Sequence, residues 1–390
     1  MINLTQEIQS FIQSHLNDDP HALILKAHKW PDLPMKDIVE QIQSRKKAKT
    51  KLPEWFSNPR TIFPKQSNLE QASSEATAKF KAQLYKGKRL LDLTGGTGVD
   101  SYYFSKSFHK VTYVEPNLEL AKIAVHNFNA LDAGNIDVVI STAEKFIKKS
   151  TLEFDLIFID PSRKPNGGKV FRLEDCEPNI LQLLPQLRQI SDKILLKASP
   201  LLDIDFAIKQ LETTDKVWVV SVDNECKELL FMIASGDVDS EIVATNIIKG
   251  RTEEFTFKRF EEAAADAEYS NPESYLYEPN ASIMKAGAFK SVALSFSLKK
   301  LHPNTHLYTS QNHVVGFPGR VFKIEKSELF NWKNWKGKKA NISVRNFPYS
   351  PEEIKKKAGI MDGGEDYMFF ATGEDEKLIT ILTQKAPGNE

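Results

Sequence analysis

Asp92, Glu115 and Asp160 each close a short apolar run, a position from which a carboxylate at a strand end can reach a ligand. After Asp92 the chain reads Leu93-Thr94-Gly95-Gly96-Thr97-Gly98-Val99, a passage from a strand through glycines into a helix. Glycines there permit a tight turn and let a ligand approach the backbone closely. The helix start that follows offers unpaired N–H groups and the positive end of a dipole. The next apolar run, Val111-Thr112-Tyr113-Val114, ends in Glu115, whose carboxylate can accept hydrogen bonds from both hydroxyls of a ribose. Loop and acid together suit either a dinucleotide or S-adenosylmethionine (SAM). Two features favour SAM. The glycines run on into Val99-Asp100-Ser101, so the third glycine of a G-x-G-x-x-G fingerprint is missing, and with it the close helix approach that a pyrophosphate needs. Asp92 also lies just before the loop, where a carboxylate can meet the cationic side of a methionine moiety.

A second constellation is Asp160-Pro161-Ser162-Arg163, directly after the apolar run Leu156-Ile157-Phe158-Ile159. Ligands of open α/β sheets sit outside such strand ends. Displacement at a sulfonium needs mainly alignment, so residues that position an acceptor there would carry much of a rate. Arg163 is able to stack on a base or hold a phosphate, and equally to pair with Glu174 or Asp175. Cys176 follows; it is either a nucleophile of the kind carbon-5 pyrimidine chemistry requires or an ordinary semi-buried thiol, and the second is the commoner case. His302 and His306 are four apart, but Pro303 and Asn304 between them read as a loop, so no metal site is expected. Ser73 or Ser74 suits a helix N-cap.

These residues need elements to hold them. From Arg89 onward short apolar runs alternate with helical stretches, the mark of crossover units on a mostly parallel sheet. Strands are expected at 89–93, 110–115, 136–140, 154–160 and 193–197, with helices between. Runs at 216–222 and 227–234 are joined by only four residues, too few for a crossover, so they must pair antiparallel. Residues before about 80 read as helical, with Leu4, Ile8, Phe11, Ile12 and Leu16 at helical spacing. Beyond 238 the texture becomes α+β, with a hairpin over 241–260, strands at 292–298, 313–324, 340–344, 367–372 and 378–383, and a helix over 351–358.

Composition bounds the alternatives. The chain has 390 residues, 41% hydrophobic and 27% charged, which is a globular mix with room for several domains. No run approaches the ~18 apolar residues of a membrane span, and the first residues lack the basic start and apolar stretch of a secretory signal. Two cysteines fit a reducing cytoplasm. Formal net charge is zero, so there is no nucleic-acid footprint from overall charge. Local basic runs exist at Arg45–Lys51 and Lys333–Lys339; each is a solvated face or a phosphate-contacting patch. Phe330, Trp332, Trp335, Phe347 and Tyr349 lie among Lys333, Lys336, Lys338, Lys339 and Arg345, which suits either RNA stacking or a small aromatic core beside a lysine-rich turn.

The stretch Leu90 to Gly98 resembles motif I of class I SAM-dependent methyltransferases, Glu115 their acidic strand-2 residue, and Asp160 to Arg163 their motif IV. Ser73-Ser74-Glu75, Phe171-Arg172-Leu173-Glu174-Asp175, Tyr277-Glu278-Pro279-Asn280-Ala281 and Arg345-Asn346-Phe347-Pro348 extend the likeness to bacterial methyltransferases with a C-terminal THUMP-like domain. The resemblance implies a Rossmann-like α/β methyltransferase sheet, a helical region at 1–75, the SAM domain at 76–238, a β-rich, ferredoxin-like module at 239–325 and a THUMP-like end at 326–390. It places SAM against Asp92, Thr94, Gly95, Gly96, Gly98, Glu115, Thr142, Ala143 and Asp160, and catalysis at Asp160, Pro161 and Arg163. In such enzymes the acid and the proline carbonyl accept hydrogen bonds from a target amine. Thr94 stands where many members have glycine, and Ser141-Thr142-Ala143-Glu144 where an Asp often holds the adenine. The expected function is methyl transfer to RNA, tRNA or rRNA, by a cytoplasmic protein taken as a monomer. The alternatives are a protein or small-molecule acceptor, or a non-catalytic SAM- and RNA-binding protein.

Overall fold

The computed structural model describes residues 2–163, 172–234 and 240–387, with Arg163 by its backbone alone. The chain forms two compact units, Met1–Asp215 with Leu229–Val238, and Lys216–Glu228 with Asp239–Glu390.

The first unit opens with six helices: α1 (Gln6–Ser14), α2 (Pro20–Leu25), α3 (Met35–Lys51), α4 (Pro53–Ser57), α5 (Gln66–Gln71) and α6 (Glu75–Leu84). Side chains of Thr5, Asp19 and Ser74 cap α1, α2 and α6 by accepting from first-turn N–H groups, which would otherwise lack partners. The periodic residues Ile8, Ile12, Leu23, Ile38 and Ile42 share one core, which also takes in Ile62 and Ile123. The Asn127 amide meets the backbone of Ile62 twice, accepting from its N–H at 2.8 Å and donating to its carbonyl at 2.7 Å. The helical region is therefore fastened to the sheet domain rather than hung from it. The basic run on α3 is mostly structural. Arg45 is buried and donates to the carbonyls of Pro59 and Thr61, Lys46 to that of Asp18, Lys51 to that of Glu70, and Lys47 pairs with the Glu70 carboxylate.

Then come β1 (Gly87–Asp92), α7 (Val99–Phe104), β2 (Phe108–Val114), α8 (Leu118–Ala130), β3 (Ile136–Val139), α9 (Ala143–Lys149), β4 (Leu156–Ile159), β5 (Ser162–Arg163), β6 (Cys176–Glu177), α10 (Ile180–Leu187), β7 (Lys193–Ala198), α11 (Ile204–Leu211), β8 (Thr214–Val222) and β9 (Glu225–Ala234). In the first unit the strands lie in the order β3-β2-β1-β4-β7-β9, all parallel except β9, which runs antiparallel to β7. Leu90, Leu91, Ile157, Phe158, Leu195 and Leu196 are fully buried or nearly so, as strands covered on both faces require. The strand order reverses between β1 and β4, and a crevice opens there at the carboxyl ends.

In the second unit Asp223 and Asn224, at φ 48° and 63°, form the two-residue turn between β8 and β9. Positive φ at both positions is what a tight hairpin turn demands. β10 (Glu241–Ile248) runs parallel to β8, and β11 (Arg251–Lys258) antiparallel to β10. After α12 (Arg259–Ala264) follow β12 (Tyr275–Pro279), α13 (Ala281–Ala286), α14 (Ser291–Ser295), β13 (Lys299–His302), β14 (Thr305–Ser310), β15 (Gly319–Leu329), β16 (Asn341–Arg345), α15 (Pro351–Ala358), β17 (Asp366–Thr372) and β18 (Leu378–Lys385). The seven strands lie in the order β13-β14-β12-β15-β18-β17-β16. The sheet curls, for its edge strand β16 returns to the middle: Ser343 Oγ and Arg345 Nη2 donate to Glu278 of β12 at 3.1 and 2.7 Å.

Two expectations fail here. Residues 292–298 were expected as a strand, yet 291–295 are helical; Val292 and Ala293 bury themselves from a helix as well as from a strand. The expected strand 313–324 begins only at Gly319, where any Cβ would collide with the Glu278 carbonyl. Of the two readings of the tail aromatics, the structure favours the small core. Trp335 is buried, and Phe330, Trp332, Phe347 and Tyr349 pack around it with Ile354, Met368 and Phe370. These rings build a small core, with Trp335 inside it and the other four half-buried at its edge.

Candidate active site

The glycine loop follows β1 because backbone pairing leads it there. Leu93 N–H donates to the Phe158 carbonyl at 3.0 Å, and Gly95 N–H to that of Val114 at 2.9 Å. Gly95 lies flat on the Tyr113 ring, where a Cβ has no room. Gly98 caps α7 at φ 82°, and a Cβ on it would stand 2.8 Å from Phe128. Both positions require glycine, for packing at one and for packing plus backbone at the other.

Around this loop the predicted residues converge. Glu115 Oε2 accepts from Gly96 N–H at 2.8 Å, and Oε1 from Asn117 N–H at 2.7 Å. Burial pushes its carboxyl up. Each carboxylate oxygen keeps a lone pair, which is what two ribose hydroxyls need. Asp92 is 1% exposed, and its oxygens accept from Ser101 Oγ at 2.6 Å and Thr94 N–H at 3.1 Å. Burial, with the charges of Asp100 and Asp160, pushes it up to about 7. Asp160 N–H donates to Thr94 Oγ1 at 2.6 Å, and the Asp160 carboxylate meets Lys197 Nζ at 2.5 Å. Thr94, the departure from glycine, thus ties the loop to the end of β4. Pro161 is buried beside it. Thr142 caps α9 by accepting from Lys145 N–H at 3.3 Å, and Ala143 is buried behind it. The Arg163 side chain, Lys164 and Phe171 lie outside the described residues. Cys176 is fully buried with Sγ 3.4 Å from the Arg172 carbonyl, the place of a core thiol rather than a nucleophile.

Four participants were not expected at the site; one of them, Ser73, was expected only as a helix cap. Lys81 of α6 is fully buried, with Nζ 3.1 Å from Asp100 Oδ1 and 3.0 Å from Ser73 Oγ, while Ser73 donates to Asp100 Oδ2 at 2.7 Å. Burial opposes the Asp100 charge, but Lys81, Lys197 and Ser73 together bring its carboxyl below the usual range. Lys197 is the fourth. Of the two serines, Ser74 is the helix cap and Ser73 the network member. A further link joins α4 to α7: Glu54 accepts from Tyr102 at 2.7 Å, Tyr103 at 3.1 Å and Lys106 at 2.6 Å, and against its partial burial these hold it down at about 2.

The site fits SAM on its own donor set. A buried carboxylate near neutrality faces two more acids with Lys81 and Lys197 behind them, a surrounding that favours an added cation. A cleft of about 580 Å³ lined by Tyr85, Arg89, Asp155 and Lys193 lies at the opposite ends of the strands, and its Asp155 is already engaged by the N–H groups of Lys88 and Arg89.

Residues 87–235 match the family described as RNA cap guanine-N2 methyltransferase, 275–318 a ferredoxin-like domain and 319–385 a THUMP domain-like family. Sheet and site together define a SAM-dependent methyltransferase. The chain is similar along its length to a crystal structure from Porphyromonas gingivalis W83 described as a methyltransferase, at 31% identity over 99% of this chain and 100% of that one, with a TM-score of 0.87. It belongs to this family of bacterial methyltransferases with a ferredoxin-like module and a THUMP-like end. Two shorter similarities are to a Streptococcus mutans protein in complex with S-adenosylhomocysteine (15% identity, 41% of this chain, 96% of that chain, TM-score 0.31) and to M. capricolum TrmK, also with that product (14%, 42%, 69%, 0.33); neither is close enough to argue from. No curated protein matches the chain. No described helix is long and apolar enough to cross a membrane.

Proposed function

We propose that this enzyme transfers the methyl group of SAM to an exocyclic amino group of an RNA base, with guanine N2 the favoured atom and tRNA or rRNA the carrier. The observation that carries the reading is the match of 87–235, the segment holding Asp92, Glu115 and Asp160-Pro161, to the family described as RNA cap guanine-N2 methyltransferase, whose acceptor atom is an exocyclic guanine amine. The THUMP domain-like match supports RNA as the carrier.

In this reading the backbone of Thr94 to Gly98 receives the methionine part of SAM, Asp92 answers its positive side and Glu115 holds the ribose. Thr142 and Ala143 border the adenine, with Leu118 and Ile140, 50% and 54% exposed, as apolar covers. SAM supplies an electrophilic methyl group on a cationic sulfur. Asp160 accepts a hydrogen bond from the target amine, and the Pro161 carbonyl is the second acceptor, which turns the nitrogen lone pair toward the methyl carbon. Lys197 holds the Asp160 carboxylate in that direction. As the N–C bond forms and the C–S bond breaks, its electron pair stays on sulfur and the amine releases one proton, for which Asp160 is the adjacent base. Positioning of this kind is worth on the order of a hundredfold or more in rate.

The test is transfer from methyl-labelled SAM into total RNA and, separately, total protein and small molecules, with Asp160→Ala alongside. Label in RNA that disappears in the variant supports the reading, and nucleoside mass spectrometry then identifies the atom. Label confined to protein or a metabolite refutes it. SAM bound without transfer to any fraction leaves a non-catalytic binding protein.

A further inference from the structure

We infer that the Lys333–Lys339 loop and the last turn of α15 form one binding face for the phosphate backbone of RNA, held by charge and without base stacking; this rests on the RNA reading above. The chain balances 52 basic against 52 acidic residues, yet residues 332–360 hold eight lysines and arginines against two acids. The two segments adjoin in space. Gly337 N–H donates to the Gly359 carbonyl at 3.2 Å, and Met361 N–H to that of Lys338 at 2.9 Å. Lys333, Lys336, Lys338, Lys339, Lys356 and Lys357 are all exposed; the Glu353 carboxylate one turn earlier on α15 feels the charge of Lys357, while the four loop lysines make no ion pair among the described residues. Other surface lysines of the chain do, among them Lys47, Lys79, Lys106, Lys110 and Lys355.

The dipole of α15 accounts for lysines in its last turn. It does not account for the four in the loop, whose mutual repulsion raises the energy of the free protein. A polyanion relieves that repulsion and releases its own counterions in doing so. The manner of binding follows from the rings. Trp335 is 2% exposed, and Lys357 lies over Tyr349 and Trp332, 4.5 and 5.4 Å from the ring centres. The half-buried Trp332 and Tyr349 are thus each taken up by a lysine of the same face and by the core beneath them. The contacts are point charges on flexible stems, which suit phosphates and carry no sequence information.

The test uses the full chain without SAM and fluorescence anisotropy of a labelled RNA hairpin and of an unstructured RNA of equal length, across a salt series. If all six lysines meet phosphates, log K against log salt should fall with a slope of about −5 on paired RNA. The triple variant Lys336→Gln, Lys338→Gln, Lys339→Gln should reduce that slope by about three and weaken both RNAs alike. The corresponding triple arginine variant should restore binding, and Lys49→Gln should change nothing. Unchanged melting and SAM affinity in the glutamine variant keep a folding defect apart. An unchanged slope, a tenfold preference for the unpaired strand, or tighter binding to anionic vesicles than to RNA overturns the inference. If the parent protein methylates RNA while the glutamine variant keeps its KM, the surface alone is wrong. If the parent neither binds nor methylates RNA, the RNA reading falls with it.

Discussion

Lowering the pH from 7 to 5 should weaken SAM binding about fifty-fold, and the effect should belong to Asp92. Its carboxylate is buried and pushed up to about 7; the groups facing it are Ser101 and Asp100 of α7, Thr94 of the loop and Asp160 beyond β4, and behind the two acids stand Lys81 of α6, on Asp100, and Lys197 of β7, on Asp160. If the bound state requires the ionised acid, affinity scales with its ionised fraction, about one half at pH 7 and about one hundredth at pH 5. That ratio corresponds to about 2.3 kcal/mol. The ligand's own amino group stays charged over this range, so it adds little. Isothermal titration with SAM or S-adenosylhomocysteine at half-unit steps reads the curve, with Asp92→Asn beside it. Glu115, also pushed up, contributes to both proteins, so the difference between the curves isolates Asp92. A parent curve that is flat, or one parallel to that of the variant, would refute the reasoning.

Three more outcomes follow from the same geometry. The folded Asp92 pKa lies above its unfolded value, so its contribution to stability is present below about pH 4 and lost as pH rises through 7; Asp92→Asn should therefore raise the ligand-free melting temperature more at pH 8 than at pH 5, while abolishing tight SAM binding, as differential scanning fluorimetry and titration would record. Lys81→Met takes the ion-pair partner from a buried, charged Asp100, leaving it the Ser73 hydrogen bond and the charge of Lys197, and should cost about 3–5 kcal/mol in urea unfolding; a loss under 1 kcal/mol would mean that those two suffice. Cys176→Ala should keep methyl transfer within about twofold, apart from a packing loss of stability, and an inactive but folded variant would reinstate a covalent route.

How much of this could be read from sequence depended on how local each signal was. The glycine loop, Glu115 and Asp160 sit at the ends of continuous apolar runs, so spacing alone located them. The structure brings those three together through Thr94 and the Gly96 N–H. The site roles of Ser73, Lys81 and Lys197 were illegible because their partners are 27, 19 and 37 residues distant, and because a lysine on an amphipathic helix ordinarily marks the solvent side. Strand β12 was missed for another reason. Glu278-Pro279-Asn280 puts polar and turn-forming residues where a buried strand is ordinarily apolar, and Arg320 and Arg345, pairing with Glu278 from two other strands, together with Ser343 make a buried acid tolerable there. Helix α14 failed because a five-residue apolar stretch has no period to distinguish the two states.

The place of Glu278 also sets how the tail can be handled as a piece of protein. The ferredoxin-like and THUMP domain-like matches meet between Pro318 and Gly319, yet β12 hydrogen-bonds with β14 on one side of that boundary and β15 on the other. A fragment cut there would carry an open strand edge, and the N-terminal piece would hold a carboxylate stripped of both its arginines. Expression of either half alone should yield aggregates rather than a small domain, for β12 makes the two matched segments one sheet and the tail one folding unit.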